Sequence, residues 1–308
     1  MIPQLLLYKI SQLFVVMLLG YLLVKSKMLC GSDSKVLSKL ALYVLMPAVL
    51  LNSFSIDLTP QIKSNLIIAF LAAIAVHALL LVTDVIYAKI TCANGAERAS
   101  IIYSNSANLI IPIVGYILGE EWVIYSCAFV AVQVTLIWTH GVRLFEKNVK
   151  PNYKKIIFNP CILATLSGIV MMLFSVKLPV FVKDISSSLG SMVGNVGMFI
   201  SGMLMADVSF KKLFTNKRMY IAVAMRLVIC SFIVLFALKL AIKVINVADA
   251  EKLLLITYLA SIAPSASMVT QLSQVYGGDE DMAVSINIVS TILCIATMPL
   301  FVMLFEML

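Results

Sequence analysis

The polar chemistry of this 308-residue chain is concentrated in two short runs. One reads Ser104-Asn105-Ser106-Ala107-Asn108, with Pro112 four residues on. The other reads Ser261-Ile262-Ala263-Pro264-Ser265-Ala266-Ser267. Each lies inside a stretch that is otherwise apolar. Proline removes a backbone donor and clashes with the preceding helical turn. In lipid the freed carbonyls need side-chain partners or a wet cavity. A helix broken this way exposes a new N-terminus, whose free N–H groups and dipole favour an anion. The half-helix before the break ends in free carbonyls, which favour a cation. Two crossing breaks supply both poles, and a carboxylate with a coupling Na+ or H+ fits that electrostatics. A single break is equally well read as a proline kink healed by Ser and Asn side chains. Two breaks in corresponding positions favour a binding site at mid-membrane.

Other chemistries lack their parts. An intramembrane enzyme needs a clustered nucleophile and base or a metal constellation. Here two histidines, His77 and His140, stand far apart, and the six cysteines show no CxxC spacing. Cys30, Cys92, Cys127, Cys161, Cys230 and Cys294 read as packing residues. There is no GxxxxGK[ST] loop for a nucleotide-driven pump. The expectation is no enzyme, no metal site and no resident cofactor.

The elements that hold these residues follow from composition. The chain is 62% hydrophobic and 12% charged, against about 45–50% and about 25% in soluble domains. Its mean hydropathy is +1.04. These values exclude a soluble globular protein, a disordered chain, a collagen and a disulfide-stapled module. The 62% of 308 residues amounts to about 191, enough for about nine or ten bilayer crossings at about 20 residues each. The net charge of +8 suits cytoplasmic loops beside a lipid bilayer rather than nucleic acid. The expected spans are 4–24, 35–55, 64–88, 98–118, 121–144, 158–176, 185–206, 219–243, 251–275 and 282–305. They lack strand-like alternation, so the class is all-α. The first is too long for a signal-peptide core and has no basic segment before it, so it reads as a retained helix.

Of the 23 Lys and Arg residues, 14 fall in connections after odd-numbered spans and 5 in the others. The bias puts the odd connections in the cytoplasm and both termini outside, in a multi-pass protein of the cell membrane. The longest polar connection, 147–157, divides the chain into helices 1–5 (1–146) and 6–10 (158–308). Five is odd, so the halves enter the membrane with opposite topology, as two inverted repeats. The breaks then fall in the fourth helix of each half. Span 2 ends Ser55-Ile56-Asp57-Leu58 and span 7 ends Ala206-Asp207-Val208-Ser209, a modest internal similarity.

Several of these residues carry a resemblance. Asn105, Pro112 and then Gly119 are similar to the fourth-helix pattern of the auxin efflux carrier family. Ala263-Pro264-Ser265, Val275-Tyr276-Gly277-Gly278-Asp279, Ser290-Thr291 and Pro299 resemble its last two helices. Asn159-Pro160 and Gly202 also fit, and the resemblance covers essentially the whole chain. Without a long cytoplasmic loop, the chain resembles a short microbial-type member. The resemblance implies ten helices in two inverted repeats, with spans 1, 2, 6 and 7 as a scaffold. Spans 3–5 and 8–10 would form a moving transport domain. It also implies carriage of a small organic anion, such as a dicarboxylate or an indole-type acid, and a fifth-helix Gln133 that helps hold the carboxylate.

Other residues have two readings each. Gln133 is either a substrate contact or glue between helices. Asn287, Ser290 and Thr291 share one stripe of span 10 and either line the cavity or pack. His77, with Asp84 one heptad later, is either a coupling proton site or a neutral histidine bonded between helices. Arg226 either pairs with Asp84 across spans 3 and 8 or snorkels to the interface. Gly190 and Gly194 serve packing within the chain or a homodimer seam. Asp279, Glu280 and Asp281 read as a helix cap. The expected function is a secondary carrier working by alternating access. Ser104, Asn105, Asn108, Pro112, Gln133, Pro264 and Ser265 form its site, and His77, Asp84, Arg226, Asn287 and Thr291 are coupling or gating candidates. An anion channel is the alternative.

Overall fold

The computed structural model describes residues 2–54, 59–145, 158–174, 176–207, 216–245, 247 and 249–308. Among them all regular structure is helical. The helical segments are α1 (Ile2–Lys25), α2 (Gly31–Ser53), α3 (Pro60–Thr91), α4 (Gly95–Ile102), α5 (Ser106–Ile117), α6 (Glu120–Phe145), α7 (Pro160–Leu173), α8 (Val180–Asp207), α9 (Lys217–Val244), α10 (Ala250–Ile262), α11 (Ser267–Tyr276) and α12 (Glu280–Met307). Seven of these, α1, α2, α3, α6, α8, α9 and α12, are long and apolar enough to cross a membrane. The expected sixth span is the 14-residue α7. The expected fourth and ninth spans are each two shorter helices, α4 with α5 and α10 with α11. The connection 147–157 and the residues Asp57 and Val208-Ser209 lie outside the described residues.

The helix ends follow from local sequence. Thr59 accepts from the Ile62 N–H at 3.2 Å and Pro60 occupies the first position of α3. Asn94 and Glu97 form a reciprocal capping box at α4. Asn159 accepts from the Cys161 N–H at 2.9 Å ahead of Pro160. Asp279 accepts from the Met282 N–H at 3.0 Å, the cap expected for α12. Within the helices, hydroxyls bond back to the preceding turn: Thr83 to the Leu79 carbonyl, Thr165 to Cys161 and Ser231 to Leu227. That habit lets a polar residue sit in hydrocarbon without a second partner.

The surface is the reverse of a soluble protein's. Leu19, Leu71, Ile86, Phe236 and Leu240 are exposed, while Asn65, Asn105, Gln133 and Asn287 are buried. α1 lies directly on α8. A Cβ on Gly202 would stand 1.8 Å from the Met17 carbonyl oxygen, and one on Gly20 would stand 2.3 Å from that of Phe199. Further along α8, Gly190 faces Val49 of α2, while Gly194 and Gly197 face Pro112 and Asn108 of α5. Gly190 and Gly194 thus pack against Val49 and Pro112 of the same chain, one of the two readings of this pair.

Candidate functional site: two broken helices that cross

The breaks after α4 and α10 meet. Extended backbone at Tyr103–Asn105 runs antiparallel to backbone at Pro264–Ala266, with Ser104 opposite Ser265. The Asn105 N–H donates to the Pro264 carbonyl at 2.7 Å, and the Ala266 N–H donates to the Tyr103 carbonyl at 3.0 Å. Pro264 thus sits where no N–H is needed but its carbonyl is used. In hydrocarbon, open backbone survives only if its polar groups are satisfied, and these two breaks satisfy each other.

Neighbouring helices complete the clamp. From α6, the Gln133 carboxamide oxygen accepts from the Ser104 N–H at 2.9 Å and its hydroxyl at 2.8 Å. The Gln133 amide donates to the Ser104 carbonyl at 2.8 Å and the Ser106 hydroxyl at 3.2 Å. From α12, the Asn287 amide donates to the Ser265 carbonyl at 2.7 Å, and the Ser265 N–H donates to the Ser290 hydroxyl at 3.1 Å. Of the two readings of Gln133, the structure gives its amide to the break, although the residue also borders the cavity below. Asn287 and Ser290 likewise hold backbone. The Thr291 hydroxyl is buried and has no hydrogen-bond partner among the described residues.

A cavity of about 650 Å³ lies against the crossing on the side of the two new helix starts. Asn105, Ala107 and Asn108 border it from the start of α5, and Ser267, Met268 and Gln271 from α11. Asn108 donates to the Asn105 carboxamide oxygen at 3.0 Å. The Asn105 amide nitrogen is buried without a hydrogen-bond partner among the described residues, as is the Gln271 carboxamide oxygen. Trp138, Ile200 and Leu204 give the cavity apolar walls. Its charged lining residues are Lys35 and Lys39 of α2; no carboxylate of the described residues lines it. From the crossing it extends to the ends where α2 and α7 begin and α11 stops, at Ser34, Phe158 and Tyr276. Pro112 lies outside the cavity, against Gly194.

A family model described as membrane transport protein matches residues 5–302. The chain belongs to this family, the auxin efflux carriers. It is a transport family rather than an enzyme family. No curated protein matches the chain.

For this membrane transport protein, the expected Asp84–Arg226 pair is corrected. Asp84 is fully buried and held in a fork by Arg98, at 2.7 Å from Nη2 and 3.1 and 3.2 Å from Nε. Arg98, at the start of the broken helix, is nearer to Asp84 than any residue deep in α9. Snorkelling is corrected as well, because Arg226 is fully buried. Among the described residues its guanidinium donates to backbone carbonyls alone: Ile101 at 2.8 Å, Ala263 at 3.1 and 2.8 Å, and Ser261. His77 is not at the crossing's cavity. It is buried in α3, Nδ1 lying 2.7 Å from the Ala73 carbonyl of its own helix and its ring 4.6 Å from that of Phe129. Sequence reasoning missed Lys35, Lys39, Trp138 and Gln271 as cavity residues. Gln271 was the readable one, four residues after Ser267 and so on the same helical face.

Proposed function

We propose that this membrane transport protein is a secondary carrier of a small organic anion, working by alternating access at the crossing. One observation carries the reading: two mid-chain helix starts open into one cavity that has lysines at its mouth and no carboxylate of the described residues on its walls. Each helix start amounts to about half a positive charge. Together they favour one negative charge, and the unpartnered amide of Asn105 adds a donor. Apolar walls suit the body of a dicarboxylate or an indole-type acid, and about 650 Å³ falls in the ordinary range for small-molecule sites. A carrier is favoured over a channel because the polar groups gather at one crossing. A channel would need them along a continuous pore.

The arrangement also supports two inverted repeats, 1–146 and 158–308, joined by 147–157. An amide from α6 clamps the first break, and an amide from α12 clamps the second. The start of α2, at the cavity mouth, carries Lys35 and adjoins the connection with Lys25 and Lys27, so the mouth faces the cytoplasm in this reading, with both termini outside.

The test is uptake into proteoliposomes. Saturable uptake with counterflow of a radiolabelled carboxylate is the expected result, and unitary currents would identify a channel. Asn105→Ala is expected to abolish uptake while leaving membrane insertion intact. Wild-type uptake by that variant removes Asn105 from the site.

A further inference from the structure

The other pole of the crossing is also built, and from a covalent part of the chain. α4 and α10 end at the breaks with carbonyls that no further helical turn satisfies. Carbonyls from both ends, Ile101 of α4, Ser261 of α10 and Ala263 just after it, converge on the Arg226 guanidinium. A helix C-terminus carries about half a negative charge. Two of them offset one guanidinium, so Arg226 can be buried without a carboxylate. Among the described residues no carboxylate lies within ion-pair distance of it. The buried acids nearby, Asp84 and Glu97, are taken by Arg98 and Arg218. Arg226 is aimed by a π-helical turn, Met225–Ile229, within α9. Such single turns often sit at functional positions.

We propose that Arg226 is the resident cation of the crossing. It fills the place where two converging carbonyl ends would otherwise hold a metal cation, so anion binding at the amide poles requires no coupling Na+. Side-chain chemistry supports the choice of residue. A guanidinium presents five donors in a rigid fork and keeps its charge, so it reaches carbonyls from two different helices at once. A lysine ammonium is a point charge that cannot span both ends. Neutralising the carbonyl poles leaves the amide poles as the uncompensated charge of the crossing, which is what an anion meets. Arg226 is therefore a positioning residue: it is not among the residues that line the cavity and acts through the backbone of both breaks. The consequence for transport rests on the function proposed above, whereas the cation site rests on the geometry alone.

The experiment uses the full chain, purified in detergent and reconstituted. Wild-type melting temperature is expected to be equal in NaCl, KCl and choline chloride, and anion uptake is expected to run at an unchanged rate when choline replaces Na+. Arg226→Ala is expected to melt lower and to lose anion affinity on the order of tenfold. Millimolar guanidinium should raise the melting temperature of Arg226→Ala and leave the wild type unmoved. Arg226→Lys is expected to recover part of the melting temperature and less of the affinity. Na+-driven uptake by the wild type, or a specific Na+ stabilisation of it, overturns the proposal, as does an Arg226→Ala protein that guanidinium does not restore. If Arg226→Ala does not fold, the wild-type cation series decides alone. A wild type that takes up no carboxylate under any cation counts against the carrier reading, while the melting series still reports on the cation site.

Discussion

At the scale of single residues, the decisive quantity is the cost of an unsatisfied polar group in hydrocarbon, roughly 1–3 kcal/mol for a neutral group and more for a charged one. Gln133 satisfies both the N–H and the carbonyl of Ser104. Gln133→Leu should therefore destabilise the protein by about 2–4 kcal/mol, read as a lowered melting temperature in detergent, with uptake lost. An unchanged melting temperature would show that the clamp is dispensable. Asp84 is a second such group. Its side chain is fully buried, and that of Arg98 is 27% exposed. Arg98→Ala leaves a buried carboxylate uncompensated and should cost on the order of 3 kcal/mol. Adding Asp84→Asn removes the orphaned charge, so the double variant is expected to melt above Arg98→Ala. If it melts lower, the two side chains act independently.

At the scale of elements, two glycine contacts of α8 differ in what opposes them. Gly202 faces the backbone of α1, where a Cβ would meet the Met17 oxygen at 1.8 Å. Backbone cannot step aside, so Gly202→Ala should reduce folded protein in the membrane, measured as monodisperse yield. Gly197 faces the Asn108 side chain, 2.4 Å from the added Cβ. Asn108 belongs to the half of the crossing that moves in the carrier reading. Gly197→Val is expected to leave yield near wild type but to slow uptake severely, because a wedge stands between α8 and α5. Normal uptake by Gly197→Val would mean that α5 does not depend on this contact. Among the described residues, the π-helical turns, at Ala41–Leu45, Ser106–Ile110, Ile137–Gly141 and Met225–Ile229, border the cavity or hold Arg226. Each re-aims a side chain without ending its helix.

At the scale of the whole molecule, the testable quantity is which side of the membrane the cavity faces. Ser38 of α2 lines it near Lys35 and Lys39. With the Lys-rich connections in the cytoplasm, Ser38→Cys should react with a membrane-impermeant thiol reagent in inside-out vesicles and not in intact cells, and substrate should slow the reaction. Labelling in intact cells alone would reverse the orientation. The exposed Cys30 and Cys92 must first be replaced so that they do not report instead. Lys35→Glu with Lys39→Glu should weaken anion uptake through a raised KM, most visibly at low ionic strength where surface charge is least screened.

Much of this was legible from residue types in order. Apolar composition dictates helices in a bilayer, because lipid satisfies no backbone groups. Small polar residues with a proline flag both runs, which is why Asn105 and Pro264 stood out, although Pro112 itself lies inside α5 and the first break falls before it, at 103–105. Which groups then satisfy the broken backbone is a matter of distances between segments far apart in sequence. Arg226 lies 37 residues from Ala263 and 125 from Ile101, and no spacing rule links them. A lone arginine in an apolar run suggests an acidic partner, and Asp84 lies toward the same side of the equivalent span in the other half. Folding brought Arg98 to Asp84 and two carbonyl ends to Arg226, because helix dipoles are charges that a sequence does not spell out until their ends converge.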